Sequence, residues 1–399
     1  IGLVVLVQFL FTDADGIAIV LTAVTLAVAA VPEGLPAVVT LTLALGSQKM
    51  VERNALVRRL PVVESLGAID TILTDKTGTL TESQMTVTRV ATGDAVYEVS
   101  GSGLATEGEF RREDEAVDPT ADPGLTAVLR CGLVCNNAEP APEDEDAAYF
   151  GDPTEVAVLL SAEKAGLEAE GERVGEVPFS SDRKRMTVVF EADGERTAYM
   201  KGATETVLSR CDRVLVDGEV QDLTEERREA IRERSNAFAA DALRVLAFAH
   251  KPDAEPDGDA DDIESGMVFL GLQGMIDPPR DEVESAVADC RNAGIRVVMV
   301  TGDNLETAKA IGAQIGFDPE GAMTGTEVDR LDDEELREVV EDVEVFARMS
   351  PAQKVRVLEA LQANDHRVAM TGDGVNDAPG LRNADVGIAM GQRGTDVTQ

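Results

Sequence analysis

Apolar and polar positions follow one rhythm over the first forty-five residues and another from about residue 60 onward. Residues 1–11, IGLVVLVQFLF, are almost wholly apolar, and TDADG then makes a polar turn. From Ile17 to Leu45 the only ionisable side chain is Glu33. At about 1.5 Å per residue, a helix of this length would more than span a bilayer core of about 30 Å. The pattern predicts a membrane hairpin over residues 1–45, broken within AVAAVPEGLPAVV by Pro32 and Pro36. It is not a cleavable leader, because the second run is too long and lacks a small-residue cleavage site. Lys49, Arg53, Arg58 and Arg59 follow, and basic flanks favour the cytoplasmic side. Residues 46–59 are therefore expected to form a cytoplasmic stalk, and the remainder to be cytoplasmic.

From about residue 60 the periodicity becomes globular. AIDTILTD ends a β-branched strand at Asp75, and the pattern resumes in IRVVMVTGD, EVFAR, RVAMTGDG and VGIAM, with helix-like stretches over 281–293, 304–315 and 351–363. Such alternation predicts an α/β fold with a doubly wound parallel sheet, built from 60–85 and 277–399. Residues 86–276 instead mix alternating strands (MTVVFEADGERTAYM) with a helix (LTEERREAIRERSNAFAADAL), which predicts an inserted α+β domain. Its return is marked by DPPR, 277–280, whose prolines restrict the backbone. Residues 82–86 and 277–280 are expected to form a two-strand hinge.

Charge narrows the classes of function. With 36 basic against 75 acidic residues the net charge is −39, which argues against nucleic acid as a partner. Acidic runs such as EDEDAA and PDGDADD read as a hydrated surface suited to high salt, hence a halophilic prokaryotic source, with calcium buffering as the alternative. Cys131 and Cys135 stand one helical turn apart and could share a metal, but no second pair accompanies them. Buried free thiols in a reducing compartment are the expectation for all four cysteines. The chain opens with Ile and stops at Thr398-Gln399, and is expected to be part of a longer protein.

Ligands of a parallel sheet gather at the carboxyl ends of its strands, where Asp75, Asp303 and Asp373 fall. In DKTGTLT, 75–81, an Asp at a strand end is followed by Lys, hydroxyls and a glycine that allows close backbone approach. This suits a carboxylate nucleophile attacking a phosphoryl group. TGD supplies Thr301, Gly302 and Asp303, and MTGDGVNDAP supplies Asp373 and Asp377. Converging carboxylates call for a hard divalent cation, magnesium first. Lys354, in SPAQKVRVL, could stabilise the transferred group. In the apolar segment Pro32 leaves the Val28 carbonyl without its helical partner, and Pro36 does the same to that of Pro32. Carbonyls freed at membrane depth line a polar cavity or meet a ligand, and beside Glu33 they suit a hard cation. The alternative is a kinked helix whose Glu33 pairs with a neighbouring helix.

DKTGT together with TGDGVND resembles the P-type ion-pumping ATPases, whose core belongs to the haloacid-dehalogenase superfamily, over essentially the whole chain. The resemblance implies that ATP phosphorylates Asp75. It puts magnesium on Asp75, the Thr77 carbonyl and Asp373, and the phosphoryl group near Thr77, Thr301, Gly302 and Lys354. Lys76, Asp303, Asn376 and Asp377 complete that site. It also implies an ATP pocket in the insert: Glu155 in GDPTEVAVL, Phe179 and Lys184 in FSSDRKRM, Lys201 and Gly202 in KGA, and Arg244, with Arg348 as a further contact. Ser181 departs from calcium pumps of the sarcoplasmic-reticulum type, which carry arginine there. Soluble relatives that hydrolyse their own aspartyl phosphate usually carry an acid two residues after the nucleophile; here that residue is Thr77, so the phosphoenzyme is expected to persist.

AAVPEGLP is similar to the fourth membrane helix of calcium pumps, which implies that the carbonyls of Val28, Ala29 and Val31 join Glu33 around the transported cation. Calcium is expected first, then manganese, with sodium or protons further alternatives. The resemblance also implies membrane lipid, an actuator domain and further membrane helices as partners. A membrane-tethered phosphohydrolase and a nucleotide-binding regulatory module without turnover are the competing classes.

Overall fold

The computed structural model describes residues 16–29, 34–142, 148–256, 258–372 and 377–390, apart from the Ile19 side chain. Its contacts divide the chain into two units, 1–69 and 70–399.

The first unit contains helices Gly16–Ala29, Leu35–Val51 and Leu60–Leu66. Pro36 lies in the first turn of the second helix, where its missing N–H breaks no bond and its fixed φ suits helix initiation. It opens this helix, and the described residues on either side of 30–33 form helices of 14 and 17 residues. Among the described residues no helix is long and apolar enough to cross a membrane. The helices nonetheless carry exposed apolar side chains, among them Val20, Leu21, Val24, Val38 and Leu41. Their threonine hydroxyls turn back onto the chain: Thr22 donates to the Ala18 carbonyl and Thr40 to that of Pro36, each at 2.8 Å. The hairpin's first arm, residues 1–11, and the break itself, Ala30–Glu33, lie outside the described residues.

The second unit is built on two sheets. One is parallel and six-stranded, ordered Met323–Thr324, Val345–Ala347, Arg296–Val300, Thr71–Asp75, Val368–Gly372 and Val386–Ala389. Five of these strands match the expected ones and the edge strand Met323–Thr324 was not expected; Thr71–Asp75 lies between two neighbours in register, with Asp75 opposite Val300. Alternate residues of Arg296–Val300 serve opposite faces: Val297 and Met299 join one core cluster, Val298 and Val300 another. Helices Val283–Asn292, Leu305–Gln314 and Pro351–Ala363 occur where helical stretches were expected. With both faces covered, the open edge of the sheet is left for chemistry.

The other sheet has eleven strands, and most of its pairings are antiparallel. Its path runs from Glu115–Val117 at one edge through Thr86–Ala91, Met267–Ile276, Arg244–Pro252, Glu195–Gly202 and Arg185–Ala192 to Glu172–Ser180 at the other. Met267–Ile276 is buried at every position. The two strands expected to hinge between the sheets are bonded to each other. Thr81 bridges Pro279, the Glu82 N–H donates to Pro278 at 3.1 Å, and the Arg280 N–H donates to Leu80 at 2.9 Å.

All four cysteines are free. Burial pushes the Cys131 thiol well above its usual value and that of Cys135 up to about 11. Their nearest polar partners are main-chain carbonyls, so the pair is core and not a metal site.

Candidate active site

Asp75 ends the central strand of the parallel sheet and is buried. The turn after it, Lys76–Leu80, takes Gly78 to φ +73°, a conformation glycine adopts without the Cβ penalty. This leaves Thr77 exposed while Lys76 and Gly78 point inward. Lys354 arrives from the first turn of Pro351–Ala363, whose start is fixed by Pro351 and by a reciprocal cap between Ser350 and Gln353. Its Nζ donates to Asp75 Oδ1 at 2.6 Å and to Asp377 Oδ1 at 2.7 Å. All three residues are less than a tenth exposed. Burial alone would pull the Lys354 ammonium down, but Asp75 and Asp377 outweigh it and hold it above the usual lysine range. Lysine at the centre of this triad is therefore a fixed cation.

A second ion pair closes the other side. Lys76 Nζ lies 2.7 Å from Asp303 Oδ2 and 3.5 Å from Asp277 Oδ2. Thr301 is buried beneath that loop, its Oγ1 accepting from the Asp303 N–H at 3.2 Å; Gly302 is exposed above it. The expected residues Asp75, Lys76, Thr77, Thr301, Gly302, Asp303 and Asp377 thus occupy the carboxyl ends of adjacent strands and the segments leaving them, and Lys354 meets them from the helix Pro351–Ala363. Asp373 and Asn376 lie outside the described residues, as do Val31 and Glu33. Val28 and Ala29 end the first helix. Among the described residues no group of three or more His, Cys, Asp and Glu side chains is placed to hold a metal ion.

Three residues at this site carry more than their sequence reading suggested. Asp277, noted only as part of a hinge, accepts from Thr81 Oγ1 at 2.5 Å and from the Gln84 N–H at 3.1 Å, besides facing Lys76. Arg280, three residues from it in the same DPPR motif, donates to the carbonyls of Thr79 and Gly78 and so grips the turn after Asp75. Gly372 makes room for a carboxylate: a Cβ there would stand 2.7 Å from Asp377 Oδ2. The paired prolines and the glycine of TGDG were the available signals, but neither says which side chain will be opposite.

The antiparallel sheet carries a cavity of about 480 Å³, whose lining includes Glu155, Phe179, Lys184, Lys201, Gly202 and Arg244. Lys201 is buried and pairs with Glu155 at 2.8 Å. Phe179 is 62% exposed, its ring available to a planar ligand. Gly202 allows its strand to approach the Lys184 carbonyl, which a Cβ would meet at 2.5 Å. A second cavity of about 600 Å³ includes Lys76, Thr77, Asp277, Asp303 and again Arg244, so one guanidinium serves both. Arg348 lies apart from the first cavity. Its side chain is exposed, and its backbone, at φ +52°, donates to the Asp303 carbonyl at 2.7 Å.

Chemically, the arrangement offers a buried carboxylate flanked by a fixed cation, within a unit that also holds a cavity of nucleotide size with an aromatic face and three cationic side chains. Residues 124–282 match the family described as P-type ATPase, cytoplasmic domain N. The chain is 49% identical over 393 residues to the cation-transporting ATPase pma1 of Synechocystis, covering 94% of this chain and 43% of that protein. It is 43% identical over 388 residues to a calcium-transporting ATPase of Bacillus subtilis, covering 95% and 44%. Against the human calcium-transporting ATPase type 2C member 1 the identity is 40% over 407 residues, covering 100% and 43%. The chain thus spans less than half the length of these curated relatives.

Proposed function

The chain belongs to the P-type ATPases, and we propose that it supplies the catalytic part of an ATP-driven cation pump whose transported ion is calcium. The observation that carries the proposal is Lys354 bridging Asp75 and Asp377 at the carboxyl edge of the parallel sheet. Residues 60–85 and 277–399 act as the phosphorylation domain and 86–276 as the nucleotide-binding domain. ATP lies with its base on Phe179 and its phosphates toward Lys184, Lys201 and Arg244. An Asp75 oxygen attacks the γ-phosphorus, a new O–P bond forms, and ADP leaves with the electron pair of the broken bridge. Lys354 offsets the negative charge that gathers on the transferred group, an effect worth about 10²–10³ in rate for one well-placed donor. The Asp75 carboxylate and Thr77 carbonyl are hard oxygen donors that fit magnesium, with Asp373 the third expected ligand; the ion's contribution is charge neutralisation at the phosphoryl oxygens.

Thr77 cannot serve as the acid or base that hydrolyses an acyl phosphate, so the phosphoenzyme persists. That persistence is what a pump requires, since ion access has to change while the bond survives. The helices on either side of residues 30–33 are placed in the membrane in this proposal. The carbonyls of Val28, Ala29 and Val31 and the Glu33 carboxylate contribute to the cation site, beside lipid and the rest of the pump.

The test is incubation of the intact protein with terminally labelled ATP. Acid-stable, hydroxylamine-sensitive label on Asp75, dependent on calcium or manganese, is expected. No such label would favour a membrane-tethered phosphohydrolase, and label indifferent to both ions would remove calcium as the cargo.

A further inference from the structure

The hairpin that carries Phe179 and Lys184 is gripped from behind by a charge cluster outside the cavity. Strand Arg185–Ala192 alternates in the usual way. Met186 lines the cavity, whereas Arg185 and Thr187 both reach Glu264. Glu264 is wholly buried. Its Oε1 accepts from Arg183 Nη1 at 2.8 Å and Thr187 Oγ1 at 2.9 Å, and its Oε2 accepts from Arg185 Nε at 2.8 Å. Ile263 beside it packs with Val189 and Ala198 on that same face.

The two arginines flank Lys184 directly. Lys184 sits at φ +51°, its N–H donating to the Ser180 carbonyl at 2.7 Å and its carbonyl accepting from Ala203, another cavity residue, at 3.0 Å. The turn's own bonds, from the Lys184 N–H to the Ser180 carbonyl and from the Arg183 N–H to Ser180 Oγ, hold this conformation, and Glu264 anchors the arginines on either side of it.

We propose that Glu264 is a positioning residue for the nucleotide: by fixing Arg183 and Arg185 from the opposite face of the sheet, it sets Lys184 and Phe179 at the cavity. The proposal rests on reading that cavity as the ATP site. It assigns the carboxylate an effect on nucleotide affinity and none on the chemistry at Asp75.

The experiment compares Glu264→Gln and Arg183→Met in the intact protein, with Phe179→Ala as the control on the cavity itself. Three quantities are read: ATP affinity by displacement of a fluorescent nucleotide, the KM and kcat for ATP, and labelling of Asp75 by acetyl phosphate, a donor with no base or ribose. Replacing the buried acceptor is expected to raise Kd and KM for ATP about tenfold, as for a lost charge-assisted contact. Saturating kcat and acetyl-phosphate labelling should stay as in the wild type. Arg183 is 27% exposed at its side chain and its loss leaves Glu264 bonded to Arg185 and Thr187, so this variant is expected to be the milder, weakening ATP about threefold. ATP affinity within twofold of wild type in both variants overturns the proposal. So does a parallel fall in acetyl-phosphate labelling, which would mark Glu264 as merely structural. If Glu264→Gln does not fold, Arg183→Met alone decides by the same criteria. Should Phe179→Ala leave ATP affinity untouched, the ATP reading of the cavity falls; should it weaken ATP while the other two variants do not, only the positioning role falls.

Discussion

The two sheets of the larger unit treat charge in opposite ways. At the edge of the parallel sheet every described ionic group of the site is buried or paired: Lys354 between two carboxylates, Lys76 between Asp303 and Asp277. Around the antiparallel sheet's cavity, Phe179, Lys184 and Arg244 are exposed, and only Lys201 is locked to Glu155. The first pattern is preorganisation, in which the cost of removing charges from water is offset before the substrate arrives. The second leaves Lys184 and Arg244 hydrated, which in the proposed pump lets a nucleotide enter and ADP leave. A single chain can thus divide its binding energy, spending rigidity where charge develops and keeping openness where the ligand exchanges.

Breaking the rigid half should have the largest consequences. Asp75→Asn is expected to abolish labelling by either ATP or acetyl phosphate while leaving nucleotide displacement unchanged, which separates the two halves in one protein. Lys354→Met should lower the rate of phosphorylation by about 10²–10³. It should also lower the melting temperature, because it leaves Asp75 and Asp377 buried without their shared cation. Gly372→Ala pushes a methyl group into the Asp377 carboxylate. A phosphorylation rate reduced about tenfold, with ATP affinity retained, is the expected outcome for a displaced charge in a preorganised site.

The open half should respond more gently. Phe179→Ala is expected to weaken ATP about tenfold, the scale of one base-stacking contact, with acetyl-phosphate labelling intact. The smallest effect concerns His366, at the opposite end of the parallel sheet from Asp75. It lies 2.9 Å from Asp70 and 3.2 Å from Glu341. Burial lowers its affinity for a proton, but the two carboxylates more than reverse this and hold it above the ordinary value of 6.5. A raised folded value means that the contribution is complete below pH 6.5 and is lost as pH rises through the folded value. Thermal melts should therefore show a decline of a few degrees at most across the neutral range, flattened in His366→Gln, with the phosphorylation rate unaffected. Asp70 and Glu341 are depressed despite partial burial, through their bonds to Arg367, Thr71, Asn364 and His366. Their contribution is present near neutrality and disappears only as pH falls toward the carboxylate range.

Much of the parallel sheet was legible because its signals are local. β-branched runs ending in Asp, glycines at strand ends and the Ser350-Pro351 helix start each act within a few residues, and Thr71–Asp75, Arg296–Val300 and Pro351–Ala363 appear within three residues of where they were expected. The inserted hairpin of Arg185–Ala192 and Glu195–Gly202 was readable for the same reason. In the apolar amino-terminal run the prolines were expected to break the helix, and Pro36 to free the carbonyl of Pro32. Pro36 instead stands in a first turn, where no N–H is needed, and so begins the helix at Leu35.

The amino-acid sequence by itself pointed to Asp75, Lys354 and the residues of the cavity proposed for ATP, because each lies in a short motif whose chemistry is set by neighbours along the chain. Only the tertiary structure decided that Lys354 is held by two carboxylates rather than one, that Asp277 and Arg280 brace the Asp75 turn, and that Glu264 stands behind Lys184. Those pairings join residues from 23 to 279 positions apart. Charges at such separation meet only when sheet register and burial bring them together, and burial in turn makes their pairing obligatory.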